Sequence, residues 1–180
     1  MAIYIGLLRG INVGGKNKIK MADLKSSLET MGLSRVQTYI QSGNVLFESE
    51  EEAETLTKRI ELEIKTVFGI AAAVVLRTAP ELERIIASCP FDANALSEGE
   101  SIQLTLLTET PAQEKIALLS EGKSDIDEFR IAGLEIYLLF RQSVLDSKLA
   151  ANLQKLGSIA TTRNWNTIVK LDSLAKAMEA

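Results

Sequence analysis

The sequence predicts an α+β fold of two similar halves, each a small sheet carrying helices, with an extra helix at the C-terminus. Three observations predict it. From Ala2 to Leu76, apolar runs and helical stripes alternate in the order β-α-β-β-α-β. A Pro/Gly-marked connector, Cys89–Glu100, then separates this stretch from a second one with much the same grammar. Finally, tight-turn signals join two strands in the middle of each stretch, Gln41-Ser42-Gly43-Asn44 in the first and Ala132-Gly133 in the second.

Taken in order, Ala2–Arg9 reads as a strand, apolar on both faces and therefore central in a sheet. Leu24, Leu28 and Met31 recur at helical spacing, and Gly32 stops that helix. Val36–Ile40 and Val45–Phe47 flank the Gln41–Asn44 turn as a hairpin. Glu50, Glu51, Glu52 and Glu54 open the next helix, where carboxylates favour the positive end of the dipole. Leu56, Ile60, Ile64, Val67 and Phe68 give it one apolar stripe, and Gly69 ends it. Ala72–Leu76 is the fourth strand, which completes a ferredoxin-like, split-βαβ order.

Pro80 then opens a short helix with Leu82, Ile85 and Ile86. In the second half, Ile102–Leu107 is a strand, Pro111–Ser120 a helix, and Glu128–Ile131 with Leu134–Phe140 a hairpin. Leu145, Leu149, Leu153 and Leu156 form a helical stripe stopped by Gly157. The second half therefore reads βαββα, without a last strand, followed by a terminal helix from Asn164 to Met178 burying Trp165, Ile168, Leu171, Leu174 and Ala175. We expect an N-terminal βαββαβ subdomain with a linking helix over residues 1–88, and a C-terminal βαββα subdomain with its terminal helix over residues 100–180. Both are ferredoxin-like, with antiparallel or mixed sheets.

Composition narrows the chemistry. With 46% hydrophobic and 24% charged residues, 180 residues suffice for one large core or two small ones. There is no histidine, which removes the commonest general base and metal ligand and every Ser-His or Cys-His pair. One cysteine, Cys89, excludes an internal disulfide and leaves almost nothing to build a zinc or iron–sulfur site. No metal site is expected, although carboxylate-bound magnesium stays open, and the cofactor is unknown. Cys89 without an activating histidine reads as a small apolar residue. No signal-peptide pattern and no run near 20 apolar residues appear, so a cytoplasmic location away from membranes is the expectation. The net charge of −4 is unevenly spread: residues 1–47 carry six Lys/Arg against two acids, whereas residues 48–140 carry eight against nineteen.

The densest chemical signal is Arg9–Lys20, with glycines at 10, 14 and 15 and the cations Arg9, Lys16, Lys18 and Lys20, and no acid. Glycines let backbone N–H groups turn toward a ligand and cations supply countercharge, so such a loop suits an anion. Gly10-x-x-x-x-Gly15-Lys16 matches most of a phosphate-binding P-loop, but Asn17 stands where a Ser/Thr hydroxyl would bind magnesium. The split-βαβ order is also wrong for an NTPase sheet. That order does place the loop after strand one at the same edge as the turn between strands two and three. Arg9, Gly10, Asn12, Gly14, Gly15 and Lys16 are then neighbours of Ser42, Gly43 and Asn44 as candidate ligand-binding residues. Arg163, Asn164, Trp165 and Asn166 form the other dense polar cluster, either a helix cap with an inward-packed indole or a further part of the site.

These clusters carry a resemblance. Leu7-Leu8-Arg9-Gly10-Ile11-Asn12-Val13-Gly14-Gly15, Tyr39-Ile40-Gln41-Ser42-Gly43-Asn44-Val45, Ser147-Lys148-Leu149 and Thr162-Arg163-Asn164-Trp165-Asn166-Thr167 resemble the bacterial domain-of-unknown-function family 1697 along essentially the whole chain. The resemblance implies a cytosolic protein of two ferredoxin-like subdomains and implies no activity. The function expected from the residues is therefore binding of a phosphate-bearing small molecule or nucleotide at the Gly/Lys loop. A nucleic-acid-binding or protein-interaction module is the alternative, disfavoured for nucleic acid by a pI near 5.1 and by the lack of an aromatic pair for an exposed sheet face. Whether there is catalysis is left open, since no paired acids stand at a telling spacing.

Overall fold

The apolar stretch Ala2–Arg9 forms β1, and in the computed structural model, which describes residues 1–122 and 126–179, it is the hub of the first sheet. β3 (Asn44–Ser49) and β4 (Ala73–Thr78) flank it, both antiparallel, and β2 (Ser34–Tyr39) lies outside β3, giving the order β2-β3-β1-β4. Helices α1 (Met21–Thr30) and α2 (Ala53–Phe68) close the βαββαβ order. Their stripes, Leu24 and Leu28 on α1 and Leu56, Ile60 and Ile64 on α2, are buried in one cluster with Tyr4, Leu8, Val45, Phe47, Val74 and Leu76 of the sheet. Burial of each such aliphatic side chain is worth about 1.5–3 kcal/mol. Ile5 and Leu7, on the other face of β1, are buried too, as a strand apolar on both sides requires. Val67 departs from the expected stripe and is 53% exposed, because α2's last turn leaves its residue on the solvent side while Phe68 packs on the core.

The second sheet contains β5 (Ser101–Leu107), β6 (Glu128–Ala132), β7 (Glu135–Phe140) and β8 (Ala160–Asn164) in the order β6-β7-β5-β8, all paired antiparallel. This is the same arrangement as the first sheet. Helices α3 (Ala79–Ala87), α4 (Gln113–Gly122), α5 (Lys148–Leu153) and α6 (Trp165–Glu179) complete the chain. The chain divides into two compact units, Met1–Arg84 with Lys170–Ala180, and Ile85–Val169.

Three expectations are corrected here. The second half does have a last strand, β8. Its sequence, Ala-Thr-Thr-Arg-Asn, carries no apolar run because an edge strand needs only backbone pairing to β5, reinforced by the 2.6 Å Thr105–Thr162 hydroxyl contact. The Leu145–Leu156 stripe is not one helix. Leu145 is 96% exposed in a 3-10 turn at Val144–Asp146, and α5 starts afresh after Ser147, whose Oγ accepts from the Ala150 N–H. Leu149, Leu153 and Leu156 alone reach the core. The second hairpin also turns one residue later than expected, at Gly133-Leu134, since Ala132 pairs with Glu135. No helix among the described residues is long and apolar enough to cross a membrane.

Candidate functional site

Strand directions decide which loops meet. Leu7 pairs with Asn44, Tyr39 with Asn44 and Arg9 with Ala73, so the end of β1, the β2–β3 turn and the start of β4 share one edge of the first sheet. Three connections therefore converge there: β1 to α1, β2 to β3, and α2 to β4.

The first connection contains a spur. Lys16 N–H donates to Val13 O at 2.9 Å and Asn12 N–H to Asn17 O at 3.0 Å, closing a two-residue turn over Gly14-Gly15. Both glycines lie at positive φ, 56° and 77°, as this mirror-image hairpin turn requires. Neither glycine N–H has an acceptor among the described residues. At the base, Asn12 and Asn17 both take left-handed backbone, which asparagine tolerates better than most residues. Asn17 Nδ2 donates to Gly10 O at 2.8 Å.

Asn12 ties the spur to the neighbouring turn. Its Nδ2 donates to Ile19 O at 3.1 Å and to Gln41 O at 2.8 Å, while its Oδ1 accepts from the Ile19 N–H at 2.8 Å. Across the same seam, Leu8 N–H donates to Gly43 O at 2.8 Å. Gly43, at φ 90°, has no room for a side chain, since a Cβ would sit 2.7 Å from Ile11 Cδ1 and 3.1 Å from Leu8 Cβ. Asn44 is fully buried, and its Nδ2 donates to Tyr39 O and Ser42 Oγ. The side chains of Asn12 and Asn44 are thus occupied with the scaffold. Arg9 is half-buried at the end of β1, and Gly10 and Lys16 are exposed.

Beside the spur lies an open groove of about 560 Å³, lined by Asn12, Gly15, Lys18, Ile19, Lys20, Asp23, Gln41 and Phe68. Its size falls within the range of small-molecule sites. Two lysines face one carboxylate, and no ion pair joins Arg9, Lys16, Lys18 or Lys20 to an acid among the described residues. Elsewhere in this unit Arg35 pairs with Glu48, Arg59 with Glu51 and Lys176 with Asp172, whereas Lys25 and Lys65, like the groove lysines, have no ion pair among the described residues. The helix beginning at Met21 adds to the positive field, for its N-cap residue Lys20 brings no side-chain acceptor to the first turn. Sequence reasoning did not reach Phe68 or Asp23. Phe68 comes in through the third connection, α2 to β4, whose position follows only from the sheet order.

Arg163, Asn164, Trp165 and Asn166 stand at the β8–α6 junction of the second sheet. Asn164 Oδ1 accepts from the Thr167 N–H at 2.8 Å and caps α6. Trp165 is half-buried and Asn166 exposed. Arg163 Nη1 donates to Thr162 O at 3.0 Å, and burial pushes its guanidinium down to about 10, still charged at neutral pH. A buried acidic side chain, Asp127, escaped the sequence reading. Asp127 accepts from Ser147 Oγ at 2.7 Å, Gln142 Nε2 at 2.6 Å and the Arg141 N–H at 3.1 Å, which fixes the entry to α5. Burial raises the Cys89 thiol, outweighing a Phe91 backbone N–H, so the thiolate is scarce at neutral pH. No cluster of three or more metal-ligating side chains occurs among the described residues.

Two four-stranded antiparallel sheets, each in split-βαβ order and followed by a terminal helix, define a two-part ferredoxin-like α+β protein with a glycine–lysine spur at one sheet edge. The chain belongs to the family described as "Protein of unknown function (DUF1697)", which matches residues 1–137. It is similar to the conserved bacterial protein SP0830 from Streptococcus pneumoniae, at 25% identity and a TM-score of 0.82, covering 97% of this chain and 98% of that one. No curated protein matches this sequence.

Proposed function

We propose that the first unit binds a phosphate-bearing small molecule in the groove beside the Gly14–Lys16 spur. The observation that carries this reading is the groove itself: Lys18 and Lys20 line it with Gly15, and no carboxylate within ion-pair range neutralises either lysine among the described residues. Charge-assisted hydrogen bonds from lysine to phosphate oxygens are about twice as strong as neutral ones. The Gly15 N–H and the positive end of α1 add partial charge of the same sign. Asn12 and Gly43 serve as the frame, holding the spur against the β2–β3 turn.

A thermal-shift series tests the reading, with inorganic phosphate, pyrophosphate, sugar phosphates and nucleotides at millimolar concentration. A ligand at a hundred times its Kd adds about 2.7 kcal/mol to apparent stability. We expect a rise in Tm with at least one phosphate compound, abolished in the Lys18→Ala/Lys20→Ala double variant. No rise with any of them, or a rise untouched by the double variant, overturns the proposal.

A further inference from the structure

We infer that the groove prefers a nucleotide to a bare phosphate or sugar phosphate, an inference that rests on the phosphate-binding reading above. Phosphate chemistry accounts for Lys18, Lys20 and Gly15, the scaffold for Asn12 and the core for Ile19, which leaves Phe68, Gln41 and Asp23. Each suits a different part of a nucleoside. Phe68, the last residue of α2, is half-buried against the core and also lines the groove, so it offers ring surface for a flat base. Gln41 is exposed on the β2–β3 turn, and its side chain has no hydrogen bond among the described residues. A primary amide both donates and accepts, which is what a base edge demands. Asn12, the other amide in the groove, has both N–H donors and its oxygen engaged by Ile19 and Gln41, which leaves Gln41 as the amide free to read a base. Asp23, in the first turn of α1, is an acceptor only; it repels phosphate and accepts from hydroxyl groups such as those of a ribose.

Calorimetric titration of the full chain with adenosine 5′-monophosphate, ribose 5-phosphate and inorganic phosphate tests the inference. The expected order of affinity puts the nucleotide first. Loss of one base–aromatic stack weakens binding about tenfold or more, so Phe68→Leu, which keeps apolar volume in the core, should lose that factor for the nucleotide and nothing for ribose 5-phosphate. Gln41→Ala, at an exposed position, should likewise weaken the nucleotide alone. Equal affinities for nucleotide and ribose 5-phosphate in the unmodified protein, or equal losses for both in Phe68→Leu, would refute the preference while leaving phosphate binding intact. Absence of binding by all three compounds would overturn both.

Discussion

Gly43 shows how a single position couples two loops. Its backbone is left-handed, and the Ile11 and Leu8 side chains occupy the place of any Cβ. Gly43→Ala should therefore destabilise the protein by about 3 kcal/mol, from left-handed strain and overpacking together, measured as a shift in the urea midpoint. Gly14→Ala meets open space and should cost only the strain, about 1 kcal/mol. That contrast was not legible in the sequence, where Gly14, Gly15 and Gly43 look alike. Asn12 was legible as a polar residue in a loop, but its role as a strut depends on Gln41 O, 29 positions away. Glu81 gives a residue-scale pH effect. Burial alone would raise its carboxyl, but bonds from the Thr78 N–H and hydroxyl, with Arg77 and Arg84 nearby, more than reverse this and hold it below the usual 4.5. Its contribution is then present above that value and lost as pH falls through the lower, folded-state value. The fall in urea midpoint from about pH 5 to about pH 3 should be smaller in Glu81→Gln than in the unmodified protein.

Among elements, those with strong apolar periods were read closely and those held by backbone pairing or caps were not. β1, α2 and β7 announced themselves through their apolar residues. β8 did not, because Thr161 and Thr162, although β-branched, stand in no apolar run or alternation, and the Thr105 partner is supplied only by the fold. The leucine stripe from 145 to 156 kept its spacing across a helix break, since Ser147 restarts the helix with an N-cap and Asp127 anchors that serine. This yields a paired prediction. Leu145→Asp, at a solvent-facing site, should change stability by no more than about 0.5 kcal/mol. Leu149→Ala should cost about 3 kcal/mol by loss of burial and creation of a cavity. Equal effects of the two, read by chemical denaturation, would mean that the stripe forms one continuous helix after all.

Across the whole molecule, one topology is used twice: the sheet orders β2-β3-β1-β4 and β6-β7-β5-β8 are equivalent position for position. The sequence made this repeat visible through the order of its elements, and the shared edge of the β1–α1 and β2–β3 connections follows from that order. The groove was only half visible. Lys18, Lys20 and Gln41 lie in stretches singled out by their chemistry, whereas Phe68 and Asp23 read as a helix end and a first-turn acid. Of the two glycine-bearing turns at this edge, Gly14-Gly15 is a protruding turn whose N–H groups have no acceptor among the described residues, and Gly43 is a packed joint. The central claim, that the spur-side groove is where a phosphate compound lands, is tested most directly by amide chemical shifts during titration of the isotopically labelled protein with adenosine 5′-monophosphate. The account predicts perturbations concentrated at Gly14, Gly15, Lys18, Lys20 and Gln41, with β6 and β7 unmoved. Perturbations centred instead on Arg163–Asn166, or none at saturating millimolar ligand, would contradict it.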